Sequence, residues 1–229
     1  VAEPTPQTIN HFALYSFGEA YWKLPSEERA KVRGSWLRRM REVGTALHLY
    51  QVFPTEAEAD LLVWTARPAE TPDVARGFFA AYAAACAELR PHARIREAFW
   101  GFTRPSPYTK TRSTQEADPF GKERKPYLVL YPFVKTHAWY QKGREERGAM
   151  MMDHVKVGKG YPEILQLLLY STGLQDQEFV VVYEIGDLLR FLDLVTDLRS
   201  TQARPFTERD YPLHTALHQA DEGALDAWL

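Results

Sequence analysis

Apolar residues follow two rhythms along this chain, and the rhythms alternate. HFALYSF (11–17) is a dense aromatic and aliphatic run of strand length. After it, Pro25, Ser26, Glu27 and Glu28 suit the start of a helix, because acids and small polar groups satisfy the free N–H groups there. Val32, Trp36, Leu37, Met40 and Val43 then recur at helical spacing, and Gly44 is the natural stop. ALHLYQVF (46–53) and DLLVWTA (60–66) read as strands across the polar TEAEAD turn. Thr71, Pro72 and Asp73 open a helix through AAYAAACAELR that ends before Pro91, and IREAFWGF (95–102) is a further strand.

The second half repeats this order. PYLVLYPFVK (126–135) is a strand, REERGAMMMDHV (144–155) a helix stopped by Gly158, and ILQLLLYST (164–172) and EFVVVYE (178–184) are strands around the GLQDQ turn. Asp187 starts a helix with Leu188, Phe191, Leu192, Val195 and Leu198 on one face. Strand, acidic turn, strand, helix therefore occurs twice with little residue identity. Two β-α-β-β-α units predict a ferredoxin-like pair, residues 1–110 and 111–229. Each sheet has a second apolar face, which packing sheet against sheet would bury. The expected fold class is α+β, two ferredoxin-like repeats forming an α+β barrel of the dimeric type.

RPSPYTKTRSTQEADPFGKERK (104–125) joins the halves and has little apolar content. It reads as a solvated linker or as a basic flap over an anionic ligand.

Composition narrows the setting. With 28 basic and 30 acidic residues the formal net charge is −2, which gives no global attraction to nucleic acid or an anionic membrane. No apolar run approaches the ~20 residues of a membrane span, and VAEPTPQTIN lacks the pattern of a secretion signal. Cys86 is the single cysteine, so no disulfide forms within the chain, and a cytoplasmic setting is expected.

His154 shares a helical face with Met150 and Met151, with Arg147 two turns back. A core histidine satisfied by a carbonyl is the ordinary account of such a residue. As a metal ligand it has no second His, Cys or carboxylate at zinc spacing, which leaves haem iron, whose macrocycle supplies four other ligands. His214 and His218 are four apart and would share a helical face, without a third zinc ligand in view. His11, His48, His92 and His137 stand alone, and Cys86 lies in an alanine-rich helix as an inert thiol. In YPFVK (131–135) Pro132 interrupts a strand and implies an edge or bulge. Tyr131 and Lys135 put polar tips into it, either as an amphipathic strand end or as groups for oxidative chemistry on an anion.

Taken together, YPFVKxxxWY, the REER helix, MMxxH, STGLQDQEFVVVYE (171–184) and LRSTQAR (198–204) resemble the chlorite dismutase superfamily, and its coproheme decarboxylase branch most closely. The resemblance covers nearly all of the second half, and FTRPSPY (102–108) extends it more loosely into the first. It implies the two-repeat barrel in a homopentameric ring. It further implies haem or iron coproporphyrin as cofactor and substrate, hydrogen peroxide as oxidant, and conversion of coproheme to haem b.

Carried over by position, His154 is the proximal iron ligand and Tyr131 the tyrosine that becomes a radical. Lys135, Tyr108 and Arg199 contact propionates, and Gln166 falls at the distal position. Chlorite-active members carry an arginine there, so Gln166 argues against chlorite decomposition. Ala203 falls where those members place a glutamate against the proximal histidine, which implies less electron push to the iron. The linker lacks the distal histidine of another branch, and the GKG turn shifts the spacing between His154 and Gln166 by a residue relative to the family, which leaves Leu165 and Leu167 as alternatives at the distal position. A second reading is a haem-binding carrier or sensor without efficient turnover.

Overall fold

β1 (Thr8–Phe17) is buried along almost its whole length, and its two faces enter two different cores. In the computed structural model, which describes residues 7–106, 108 and 113–229, Ile9, Ala13, Tyr15 and Phe17 face one way and Phe12 and Leu14 the other. That is the period-two alternation of a strand covered on both sides. β1 lies between β3 (Leu61–Pro68) and β4 (Ala93–Phe102), antiparallel to both. β2 (Ala46–Gln51) flanks β3, giving the order β4-β1-β3-β2.

The second half repeats that order. β5 (Tyr127–Lys135) lies between β7 (Phe179–Ile185) and β9 (His214–Gln219), and β6 (Leu165–Tyr170) flanks β7. The two sheets join where β2 pairs with β9 and where Phe102 of β4 faces Tyr170 of β6. With β5 paired to β7, the eight strands close into a ring. The interior is filled by side chains from both halves, including Phe12, Tyr50, Trp64, Leu128, Leu130, Leu167, Val182 and Ala216. This is the expected two-repeat α+β barrel. The expected boundary between repeats, 110/111, lies outside the described residues.

The outer faces are covered unequally. α1 (Glu19–Trp22) and α4 (His137–Gln141) are short. α2 (Ser26–Val43) buries Trp36, Leu37, Met40 and Val43 on the first sheet, and α3 (Val74–Cys86) buries Phe78, Tyr82, Ala85 and Cys86 beside them. Losing a buried aromatic such as Trp36 would cost about 3–5 kcal/mol. Cys86 is inert as expected, with Sγ 3.3 Å from the Tyr15 hydroxyl and its thiol pKa pushed up by burial. On the second sheet α6 (Leu188–Arg199) buries Phe191 and Leu194 against Val129 and Tyr183. α5 (Arg144–Gly158) buries no residue at all.

Three sequence expectations change. His214 and His218 lie on strand β9, not on a helix, because HTALHQ pairs with β2 and β5. Each histidine has its own partner: the His214 Nδ1 is 2.8 Å from Glu56, and the His218 ring lies 5.4 Å from that of Tyr50. The strand expected over 46–53 ends at Gln51, where the Val52 amide turns to the Asp60 carbonyl. The linker is not simply solvated, since Ala117 is buried in the barrel and Arg124 faces the buried Glu184 at 3.2 Å. Arg124 also lies over Trp64 at 5.3 Å, so the linker's charge closes one end of the barrel. Pro132 does sit at a local edge. The pairing of β9 with β5 stops at Leu130, and β8 (Thr207–Arg209) joins only at Val134 with a bulge. Among the described residues no helix is long and apolar enough to cross a membrane.

Candidate functional site

The outer face of the second sheet is built by register. Tyr131 on β5 pairs with Val181 on β7, and Val181 pairs with Leu168 on β6. Two residues along, Gln166 pairs with Tyr183. The Tyr131 and Tyr183 rings stack with centroids 6.1 Å apart, so Tyr131, Tyr183 and Gln166 share one face. Burial holds the Tyr131 phenol well above its ordinary pKa, reinforced by Tyr183 and Asp210 and opposed by Arg204. The phenol is therefore neutral at ordinary pH.

Gln166 is exposed, and its main chain is held from the linker side. Its N–H donates to the Gln115 carbonyl at 2.7 Å, and its carbonyl accepts from the Ala117 N–H at 3.0 Å. These bonds make Glu116 its parallel partner. Ala117 points into the barrel, so Glu116 lies on the outer face beside Gln166.

α5 places His154 over this region. The half-buried imidazole has its pKa lowered by burial and by the Lys135 cation, against Asp153, so it is neutral at pH 7. Its Nδ1 lies 3.5 Å from the Thr201 hydroxyl, which itself donates to the Leu198 carbonyl at 2.7 Å. The hydroxyl is thus left as an acceptor for Nδ1–H, and Nε2 keeps its lone pair. Thr201 thus neighbours the ring. The Ala203 carbonyl accepts from Lys135 Nζ at 3.5 Å.

Lys135 also donates to Thr207 at 3.5 Å and lies 4.6 Å over the Trp139 ring. Burial, then the Arg204 cation, lowers its pKa to about 8, with Glu178 opposing. Arg204 acts electrostatically on both Lys135 and Tyr131 and pairs with Asp210 at 2.5 Å. His154, Lys135, Arg204 and Tyr131 therefore form one electrostatic neighbourhood. Burial first, and the nearby Tyr108 after it, raise the pKa values of Tyr140 and Tyr170.

Arg199 ends α6 exposed, while Arg204 is half-buried and acts on Lys135 and Tyr131. LRSTQAR contained Arg204, but only the helix end at Arg199 shows which arginine turns inward. Among the described residues, no three His, Cys, Asp or Glu are grouped to hold a metal ion. Grooves of about 380 and 500 Å³ flank α5 around Asp153 and Lys156, away from His154 and Tyr131.

Comparison with known proteins agrees with the fold. The chain is 28% identical over 215 residues to a coproheme decarboxylase of Mycolicibacterium smegmatis, covering 91% of this chain and 89% of the relative. It is 35% identical over 78 residues to a coproheme decarboxylase of Staphylococcus carnosus, covering 32% and 31%. A tryptophan variant of chlorite dismutase from Candidatus Nitrospira defluvii in complex with cyanide superposes with a TM-score of 0.81 at 20% identity, over 96% of this chain and 94% of that one. The same organism's enzyme in complex with imidazole gives 0.80 at 19%, over 96% and 94%. The sequence model described as Chlorite dismutase matches residues 26–218, and the chain belongs to the chlorite dismutase family.

Proposed function

We propose that the protein binds iron coproporphyrin between α5 and the second sheet and decarboxylates it with hydrogen peroxide to haem b. The observation that supports this reading is a neutral His154 on a helix with no fully buried residue, next to the half-buried Lys135, with Arg204 acting on both Lys135 and Tyr131. The residues fit the group. A neutral imidazole with a free Nε2 is an axial ligand, and Lys135 and Arg204 suit carboxylates through charge-assisted hydrogen bonds. When bound, the porphyrin iron supplies the oxidising power of peroxide.

The chain's own residues do the rest. His154 holds the ring, and Lys135, Arg204, Tyr108 and Arg199 are its proposed propionate partners. Tyr131, oxidised by one electron with loss of its proton, takes a hydrogen atom from a propionate CH₂. Loss of a second electron and of carbon dioxide leaves a vinyl group. Each round thus consumes one peroxide, one proton and one carboxylate, and yields carbon dioxide and two waters. Glu116 is the ionisable group placed beside Gln166 to accept the proton of peroxide. The neutral Gln166 provides no cation for a chlorite oxyanion, so chlorite decomposition is not the proposed activity. A homopentameric ring in the cytoplasm accompanies the reading, and the mass of the assembly in solution tests the ring.

Titration with ferric coproporphyrin, then peroxide, then mass measurement of the pigment tests the activity. Two stepwise losses of carbon dioxide are expected. Binding followed only by bleaching favours the second reading, a haem carrier, and absence of binding removes both.

A further inference from the structure

Gln115 touches the elements that carry His154 and Gln166. Its side-chain amide donates toward the carbonyls of Tyr161 at 2.8 Å, Gly158 at 3.2 Å and Ile164 at 3.3 Å. Two N–H groups are thus shared among three acceptors. Its own carbonyl accepts from the Gln166 amide at 2.7 Å. One linker residue therefore spans the turn from the last residue of α5 to the first residues of β6.

The need for such a tie follows from the packing of α5. A helix ordinarily takes its position from buried side chains, and α5 has none. The carbonyls of Val155, Val157 and Gly158 accept from the N–H groups of Lys159, Gly160 and Tyr161, which closes the turn on itself without reaching the strand. Elsewhere α5 is held by polar contacts to the chain after α6, where Asp153 accepts from the Gln202 N–H at 3.2 Å and His154 faces Thr201. Gln115 supplies the matching hold on the linker side, at the end that continues into the Gln166 strand.

We infer that Gln115 is a positioning residue. Its side-chain amide fixes the C-terminal end of α5 against β6, and so sets how the His154 imidazole meets the metal of a bound porphyrin. This rests on the reading under Proposed function. It assigns to the linker a role in the axial geometry on the opposite side of the ring from the surface it borders.

Gln115→Leu keeps the size and removes the donors. In ligand-free protein, amide hydrogen exchange should rise about tenfold or more in residues 113–117 and 158–166, the scale of one lost net hydrogen bond or more. Exchange in β1 and β3 should stay unchanged, which shows that the fold persists. In the same variant loaded with ferric coproporphyrin, the iron–histidine stretching band of the reduced form should shift or split. Unchanged exchange overturns the tie. Faster exchange with a wild-type band leaves Gln115 a fold clamp only and overturns the positioning role. Wild-type protein that takes up no coproporphyrin overturns the functional reading, and the positioning role with it, whatever the exchange shows.

Discussion

The His154 Nδ1 faces a Thr201 hydroxyl whose own proton is committed to the Leu198 carbonyl. The imidazole therefore meets a neutral, weak acceptor at 3.5 Å rather than a carboxylate. Such a partner orients the ring and adds little basicity. Thr201→Val should weaken haem affinity by about tenfold, the low end for outer-shell partners. Soret titration measures it, and an unchanged affinity would show that the contact orients nothing. His154→Ala should abolish the axial signature altogether.

Tyr131 stacks on Tyr183 and is held as a neutral phenol by burial. Tyr131→Phe keeps the ring and removes the O–H. It should bind coproporphyrin with wild-type affinity and release no carbon dioxide on adding peroxide. Normal turnover in this variant would sink the radical role.

The Lys135 pKa near 8 gives a pH signature with a definite sign. Bound carboxylates favour the charged lysine, so binding is linked to proton uptake. Affinity for a carboxylated porphyrin should be full below pH 8 and fall as pH rises through it. Lys135→Met should flatten that dependence and cost about 10–100-fold at pH 7, the range for a hydrogen bond to a charged group. Affinity that is flat across pH 7–9 in the wild type would reject the pairing.

Glu116 shares a face with Gln166 by register. If it takes the proton of a ligand acid, Glu116→Gln should slow cyanide binding to the ferric haem-loaded protein by about a hundredfold, the scale of acid–base assistance. Stopped-flow rates equal to wild type would exclude it.

Acid stability is set largely elsewhere. Burial holds His11 to a pKa of about 3 and His48 to about 4, against an ordinary 6.5. Both are neutral in the folded state and take up protons more readily when unfolded. Their contribution is complete above pH 6.5 and is lost as pH falls toward the folded values. The loss is about 1.4 kcal/mol per pH unit from His11 alone. Chemical denaturation at pH 7 and pH 5 should show it, and His11→Phe should reduce it.

Much of this was legible in the chain because the apolar rhythm is strong where it matters. β1 and α2 each commit a full face of large side chains, and period decides type. β9 was missed because HTALHQ spends half its positions on His, Thr and Gln, and its burial comes from β2 and β5 far away in sequence. Arg204 carried no signal of its own in LRSTQAR, because only the end of α6 decides which cation lies toward Lys135. Gln115 carried no signal, since a side chain that meets three distant carbonyls has no local pattern.

The two halves use the same architecture and differ in what fills the space beneath a helix. α2 pours Trp36, Met40 and their neighbours into it, while the corresponding α5 contributes none of its volume to any core. What sets α5 apart is thus a subtraction of packing, not a new loop or domain. Because both repeats fill one shared interior, destabilising changes in the first repeat should silence the second at a distance, with no residue near His154 touched.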